Sequence, residues 1–246
     1  MRFYPAWKYQ ICGMKWPLII YYAVIAALLT LMGVSLSLAD RNQGSIIVGG
    51  LDMASVIFIF IVGLNSFRTT FHMLSANNVS RKTMFVSFLT VIAAVAAGMA
   101  VIDSLYALIM SGIGNYQSAF IQMYGLASAE IAARTVTGFA WMLCCYLAAG
   151  MAGYLISALY YRMSKPVKLL VSIGVPVLVL FGLPALDFSL FGRTMLKAVS
   201  TFIGWASGLA SGDPHMGMIS SGVLFALLGC LSYLALRRAP VRARQQ

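Results

Sequence analysis

Long apolar stretches separated by short polar, mostly basic ones run the length of the chain. Crossing a hydrocarbon core of roughly 30 Å takes about 20 mostly apolar helical residues, because no backbone polar group can stay unpaired in lipid. Six runs meet that length: Pro17–Leu38, Ser45–Leu64, Met84–Met110, Val136–Tyr161, Val167–Leu186 and Met216–Leu236. They are continuous rather than alternating, which predicts helices and not barrel strands. The expected fold is all-α, a single polytopic transmembrane domain over residues 1–246. The third and fourth runs exceed the length needed to span and predict tilted or protruding helices. The fifth carries Gly174, Pro176, Gly182 and Pro184 and predicts a kink, since each proline removes a backbone donor and crowds the preceding turn.

The segments between the runs have characters of their own. Residues 1–16 mix Phe3, Tyr4, Trp7, Lys8, Tyr9, Lys15 and Trp16, a pattern that suits an interfacial helix ahead of Pro17. Spans one to three fill 17–110, with a short helix expected at Ser66–Ala76. There Ser66 is placed to cap, and Phe67, Phe71 and Leu74 recur at i, i+4 and i+7, with Arg68 and His72 on another face. Asn77-Asn78 is suited to end that helix in the left-handed conformation, and Ser80 to cap the next. Residues 111–135 form an external segment, 136–186 hold spans four and five, and 216–236 the sixth. Within 187–215, Phe188–Ala210 predicts re-entrant helices closing as a lid, followed by the turn Ser211-Gly212-Asp213-Pro214. Residues 237–246 are a basic tail.

Composition narrows the class. Hydrophobic residues make up 61% and charged ones 9%, against about 45–50% and about 25% for soluble domains. So little polar surface excludes a soluble enzyme, a disordered chain and a secreted disulfide scaffold. The net charge of +11 is explained by sidedness rather than by nucleic acid. With both termini in the cytoplasm, Arg2, Lys8, Lys15, Arg68, Arg81, Lys82, Arg162, Lys165, Lys168, Arg237, Arg238, Arg242 and Arg244 all fall inside. Only Arg41, Arg134, Arg193 and Lys197 fall outside. Ser37-Leu38-Ala39 offers small residues for signal cleavage, but the apolar run before it is longer than a signal peptide's core of about 7–15 residues, so an uncleaved first span is expected. Cys12, Cys144, Cys145 and Cys230 read as small packing residues.

The sequence contains no phosphate-cradling loop, no HExxH pair and no GxSxG elbow. His72 and His215 fall on opposite sides of the membrane, so no metal site is expected. Two intramembrane carboxylates, Asp52 and Asp103, lie at similar depth in the outer half. Each costs roughly 2.5–3.5 kcal/mol there unless it faces protein or water, which makes them candidates for a translocation path. Ala94/Gly98, Ala93/Ala97 and Ala149/Gly153 are small-residue pairs suited to close helix contact.

At Asn78-Val79-Ser80-Arg81-Lys82-Thr83, followed by Phe85, the chain resembles the first cytoplasmic loop of bacterial permeases of the ABC transporter type-2 family, which have the type V exporter fold. In that family a short coupling helix is often followed by a Gly-Val/Ile-Ser-Arg-Lys segment leading into the third span; Asn78 stands where glycine is commonest. The resemblance extends to the architecture of nearly the whole chain. It implies a half-transporter in the bacterial cytoplasmic membrane that binds a separate ATP-binding subunit and a second permease, identical or related. Phe67, Arg68, Phe71, His72 and Leu74 would be the coupling helix seated in the ATPase, with Asn78, Ser80, Arg81 and Lys82 beside it. No cofactor is implied on this chain, ATP and Mg belonging to the ATPase, and the chain itself is not implied to be an enzyme. The residues alone leave open a secondary transporter or channel using Asp52 and Asp103 as an ion or proton site, and an assembly subunit without transport of its own.

Overall fold

The computed structural model describes residues 3–38, 48–113, 116–126, 130–190 and 192–237; the side chains of Arg68 and His72 lie outside the description, as do Arg41 and the tail from 238 onward. The described residues are almost entirely helical. Helices α1 (Phe3–Leu38), α2 (Leu51–Ala76), α3 (Arg81–Ile113), α5 (Ile131–Arg162) and α9 (Pro214–Arg237) make the packed bundle, with the short α4 (Ala119–Tyr124) against α5. Helix α6 (Lys165–Val177) passes through a π-helical turn at Leu178–Gly182 into α7 (Leu183–Leu190), and α8 (Thr194–Ala206) leads back to α9. The only extended pieces described are Val48–Gly49 and Tyr116–Gln117, paired in parallel, Val48 with Tyr116 and Gly49 with Gln117.

Among the described residues, five helices are long and apolar enough to cross a membrane: Phe3–Leu28, Arg81–Ser111, Ile131–Arg162, Lys165–Ser189 and Pro214–Arg237. Five of the six expected spans therefore have a counterpart of full length. For the second, α2 starts at Leu51, and Asp52–Phe67 is the apolar stretch of it whose side chains are described.

Two expected boundaries are absent. Residues 3–38 form one helix with Pro17 inside it, so the aromatic and basic N-terminal segment is not a separate interfacial helix. Ala6, Gln10 and Met14 recur every four residues on one face and are buried, which keeps this part of α1 on the bundle, and Pro17 forgoes a single backbone hydrogen bond. Nor does Ser66 cap a new helix. α2 runs unbroken from the apolar stretch to Ala76, and the Ser66 hydroxyl donates to the Val62 carbonyl at 2.7 Å, the back-bonding of a mid-helix serine.

The α2–α5 crossing forms the middle of the bundle. A Cβ added at Gly63 would run into the Gly150 carbonyl, and one at Gly153 into the Phe60 carbonyl, so glycine lets the backbones touch. The Ala149/Gly153 pair thus faces α2, whereas Ala94 and Gly98 on α3 are exposed. The kink expected in the fifth run is the π-turn, which lies between Pro176 and Pro184, where missing donors shift the hydrogen-bond register. No residue of α6 or α8 is buried.

Outside the spans, capping supplies the order. Asp187, at the end of α7, accepts from the backbone N–H of Met195 and of Leu196, both at 2.9 Å, and so caps α8 from the preceding helix. Asp213 caps α9 by accepting from the His215 N–H at 2.9 Å, with Pro214 in the first helical position. The Tyr124 hydroxyl donates to the Ser207 carbonyl at 2.6 Å and accepts from Trp141 Nε1–H at 3.1 Å. Burial pushes that phenol's pKa up, so it stays a donor. The expected lid region is therefore one helix, α8, and a turn latched through Tyr124 to α4 and α5.

Candidate functional site

Two groups of residues carry chemistry, one at each end of the bundle. The first is a cavity of about 130 Å³ between α1, α2 and α3, lined by Tyr21, Tyr22, Asp52, Ser55, Asp103 and Tyr106 together with apolar side chains. Both candidate carboxylates line it, and both are buried, Asp52 at 2% and Asp103 at 9% exposure. Asp103 accepts from the Tyr146 hydroxyl on α5 at 2.6 Å and from the Tyr22 hydroxyl on α1 at 3.2 Å. Tyr21 and Ser55 share a hydrogen bond of 2.8 Å beside it, and the Tyr21 ring stacks on Phe58 at 4.2 Å.

The two acids have different surroundings. Asp52 accepts from the Ala119 N–H at 2.9 Å and so fixes the N-terminus of α4 to α2, next to the Val48–Tyr116 pairing. Asp103 has neutral hydroxyls for partners, and through them it joins three helices. An ionised Asp103 therefore carries a charge that its hydroxyl partners solvate without neutralising, while a protonated one can donate into the cavity. Ile102 and Ala26 are exposed, so the cavity lies near the outer surface of the bundle between α1 and α3.

The second group is the α2–α3 turn. Phe67, Phe71 and Leu74 are buried at 1%, 3% and 5% exposure. Phe67 stands 5.3 Å from the ring centroid of Tyr154, and Phe71 stands 5.2 Å from that of Tyr161. The apolar stripe expected to seat in a partner is thus seated on α5 of the same chain. Met73, at 49% exposure, with Asn77, Asn78, Ser80 and Lys82, faces outward instead.

The turn itself follows the expected chemistry. The Val79 N–H donates to the Leu74 carbonyl at 3.0 Å and the Asn78 N–H to the Ser75 carbonyl at 3.1 Å, the paired bonds of a Schellman motif. Asn78 takes the left-handed position at φ 53°, which accounts for asparagine standing where the resembled motif favours glycine. The Ser80 hydroxyl accepts from the Thr83 N–H at 3.2 Å and caps α3. Arg81 turns inward and donates to the carbonyls of Leu236 and Arg237 at 2.9 and 2.8 Å, capping the C-terminus of α9.

Sequence reading missed Tyr22 and Tyr146 as partners of Asp103, and Arg81 as a cap. Tandem tyrosines within an otherwise apolar helix are the available signal for the first, since a buried hydroxyl needs a polar partner. Among the described residues no three His, Cys, Asp or Glu side chains converge on a metal position. No known family, curated protein or solved structure matches the chain.

Proposed function

We propose that this chain is the permease subunit of an ATP-driven exporter of the ABC type-2 family, set in a bacterial cytoplasmic membrane. In this reading a separate ATPase binds at the α2–α3 turn, a second permease completes the transporter, and the Asp52–Asp103 cavity lies on the path. The observation that carries it is the unbroken extension of α2. The helix continues unbroken to Ala76, twelve residues past Leu64 where the second apolar run ends, roughly 18 Å at 1.5 Å per residue, and closes in a capped turn bearing exposed polar residues. The basic bias of that side of the chain and the lack of any phosphate-cradling loop agree with a partner that supplies ATP hydrolysis.

The burial of Phe67, Phe71 and Leu74 divides the labour differently from the sequence expectation. Met73, Asn77, Asn78, Ser80 and Lys82 are the contact set. Phe67, Phe71 and Leu74 transmit displacement to α5, and Arg81 transmits it to α9. ATPase closure against the turn would move α2, α5 and α9 together and change the packing around Asp103.

Purification of the tagged chain from its native membranes tests this reading. An ATP-hydrolysing subunit is expected to remain bound at a fixed stoichiometry and to be lost from the Met73→Asp, Lys82→Glu double variant. Retention of the same subunit by that variant would remove the turn from the interface.

A second reading, a secondary transporter with Asp103 as its proton or ion site, is favoured by one feature: both carboxylates line a single cavity. It requires uptake or efflux that persists without ATP and collapses in Asp103→Asn.

A further inference from the structure

Helix α8 divides into two faces. With about 100° between successive residues, Met195, Leu196, Val199, Phe202 and Ile203 fall together on one of them. All five are uncovered, at 42–65% exposure. Arg193 at the N-cap, Lys197 and Thr201 follow one another four residues apart on the opposite face, and they are exposed as well. Neither basic group forms an ion pair among the described residues. The Arg193 guanidinium stands 5.3 Å over the exposed ring of Phe188. Both oxygens of Asp187, the carboxylate nearest in sequence, are taken by backbone N–H groups.

The two ends of α8 stand at one height in the bundle. Lys165 and Arg237 both lie at the end that carries the α2–α3 turn: α6 follows Tyr161, whose ring meets Phe71, and Arg81 caps Arg237. Asp187, which holds the start of α8, is 22 residues on from Lys165. Gly217, where a Cβ would run into the Ser207 carbonyl just past the end of α8, is 20 residues from Arg237. At 1.5 Å per residue both lie roughly 30–33 Å from the turn end, and a hydrocarbon core is about 30 Å thick. α8 therefore runs across the far boundary of the membrane and not down into it. At that level acyl chains meet the apolar face and head groups the basic one, so a single surface accounts for both.

We infer that α8 is an in-plane docking surface for anionic phospholipid in the leaflet opposite the α2–α3 turn. Val199 and its neighbours lie among the acyl chains, and Arg193 and Lys197 meet the phosphates. The inference needs the chain to lie in a membrane but not to be a permease.

Site-specific quenching in nanodiscs tests it. With the four cysteines changed to alanine, a bimane is attached at Val199→Cys or at Thr201→Cys in the full chain. Phosphatidylglycerol and phosphatidylcholine are mixed in equal amounts, with brominated acyl chains on one or the other. The bimane at 199 should be quenched and that at 201 spared. At 199, phosphatidylglycerol should associate more tightly than phosphatidylcholine by about fivefold for each cation. Arg193→Gln with Lys197→Gln should bring the two lipids to parity while quenching at 199 persists. Lys165→Gln with Lys168→Gln, at the other end of the bundle, should leave the preference intact. Absence of quenching at 199 by either lipid, as a second copy seated on that face would give, overturns the inference. So does equal quenching by the two lipids in the unaltered chain, or quenching at 201 as strong as at 199. A preference undiminished by the Arg193 and Lys197 substitutions, or lost with those at Lys165 and Lys168, overturns it too.

Discussion

Asn78 is the residue on which the α2–α3 turn depends, because it alone there holds a positive φ, 53°. A β-branched side chain resists that conformation by roughly 1–2 kcal/mol. Asn78→Val is therefore expected to lower unfolding stability in micelles by about that amount, and Asn78→Gly to leave it unchanged or slightly raised. Equal effects of the two would mean that backbone conformation is not what the position requires. Asp103 makes a different demand, for hydroxyl donors from Tyr22 and Tyr146. Hydrogen bonds between membrane helices contribute about 0.6 kcal/mol on average and up to about 1.7. Tyr146→Phe should cost an amount in that range, and the cost should shrink when Asp103 is already Asn. At this scale the sequence revealed the anomalies but not their partners. Two acids in apolar runs are visible at once, as is an asparagine pair after a helix. Tyr22 and Tyr146 are far apart in the chain, and only packing brings them to one carboxylate.

Helices were largely readable from hydrophobic runs, but their ends were not. Pro17 and Ser66 are sound local signals for a helix start, and both lie mid-helix because buried stripes on either side, Ala6–Gln10–Met14 and Phe67–Phe71–Leu74, hold the chain to its neighbours. Tertiary packing outweighs a cap or a lost hydrogen bond worth about 1 kcal/mol. The same periodicity that marked Phe67, Phe71 and Leu74 as an apolar face did not say what covers it, and α5 does. The crossing of α2 and α5 depends on glycine backbones in contact, so Gly153→Val is expected to force the helices apart and cost about 1–3 kcal/mol or more. Gly98→Val, on an open face of α3, should be nearly silent. Comparing the two in a thermal unfolding assay checks the crossing. Arg81 links the turn to α9 by donating to two terminal carbonyls. Arg81→Lys, with one compact ammonium in place of a fork, should loosen the end of α9 and raise proteolysis there, an effect absent from Lys82→Ala.

At the scale of the molecule, five helices among the described residues are long and apolar enough to be spans. In the proposed function α2 crosses as well; six crossings would put both termini, and thirteen of the 17 basic residues, on one side. Impermeant labelling of cysteines placed at residue 2 and residue 244 should find both protected in intact cells; labelling of one alone would count five crossings. Near the start of α2, Asp52 holds the N-terminus of the buried α4 segment through the Ala119 N–H. In the proposed function the exposed turn, and not the apolar face behind it, would receive the ATPase. Site-specific photo-crosslinking tests it most directly, with a photoreactive side chain at position 77 in one sample and at position 71 in another, in native membranes. A covalent adduct with an ATP-hydrolysing subunit from position 77, and none from position 71, is the predicted result. An adduct from 71, or none from 77 while that subunit co-purifies, would contradict it.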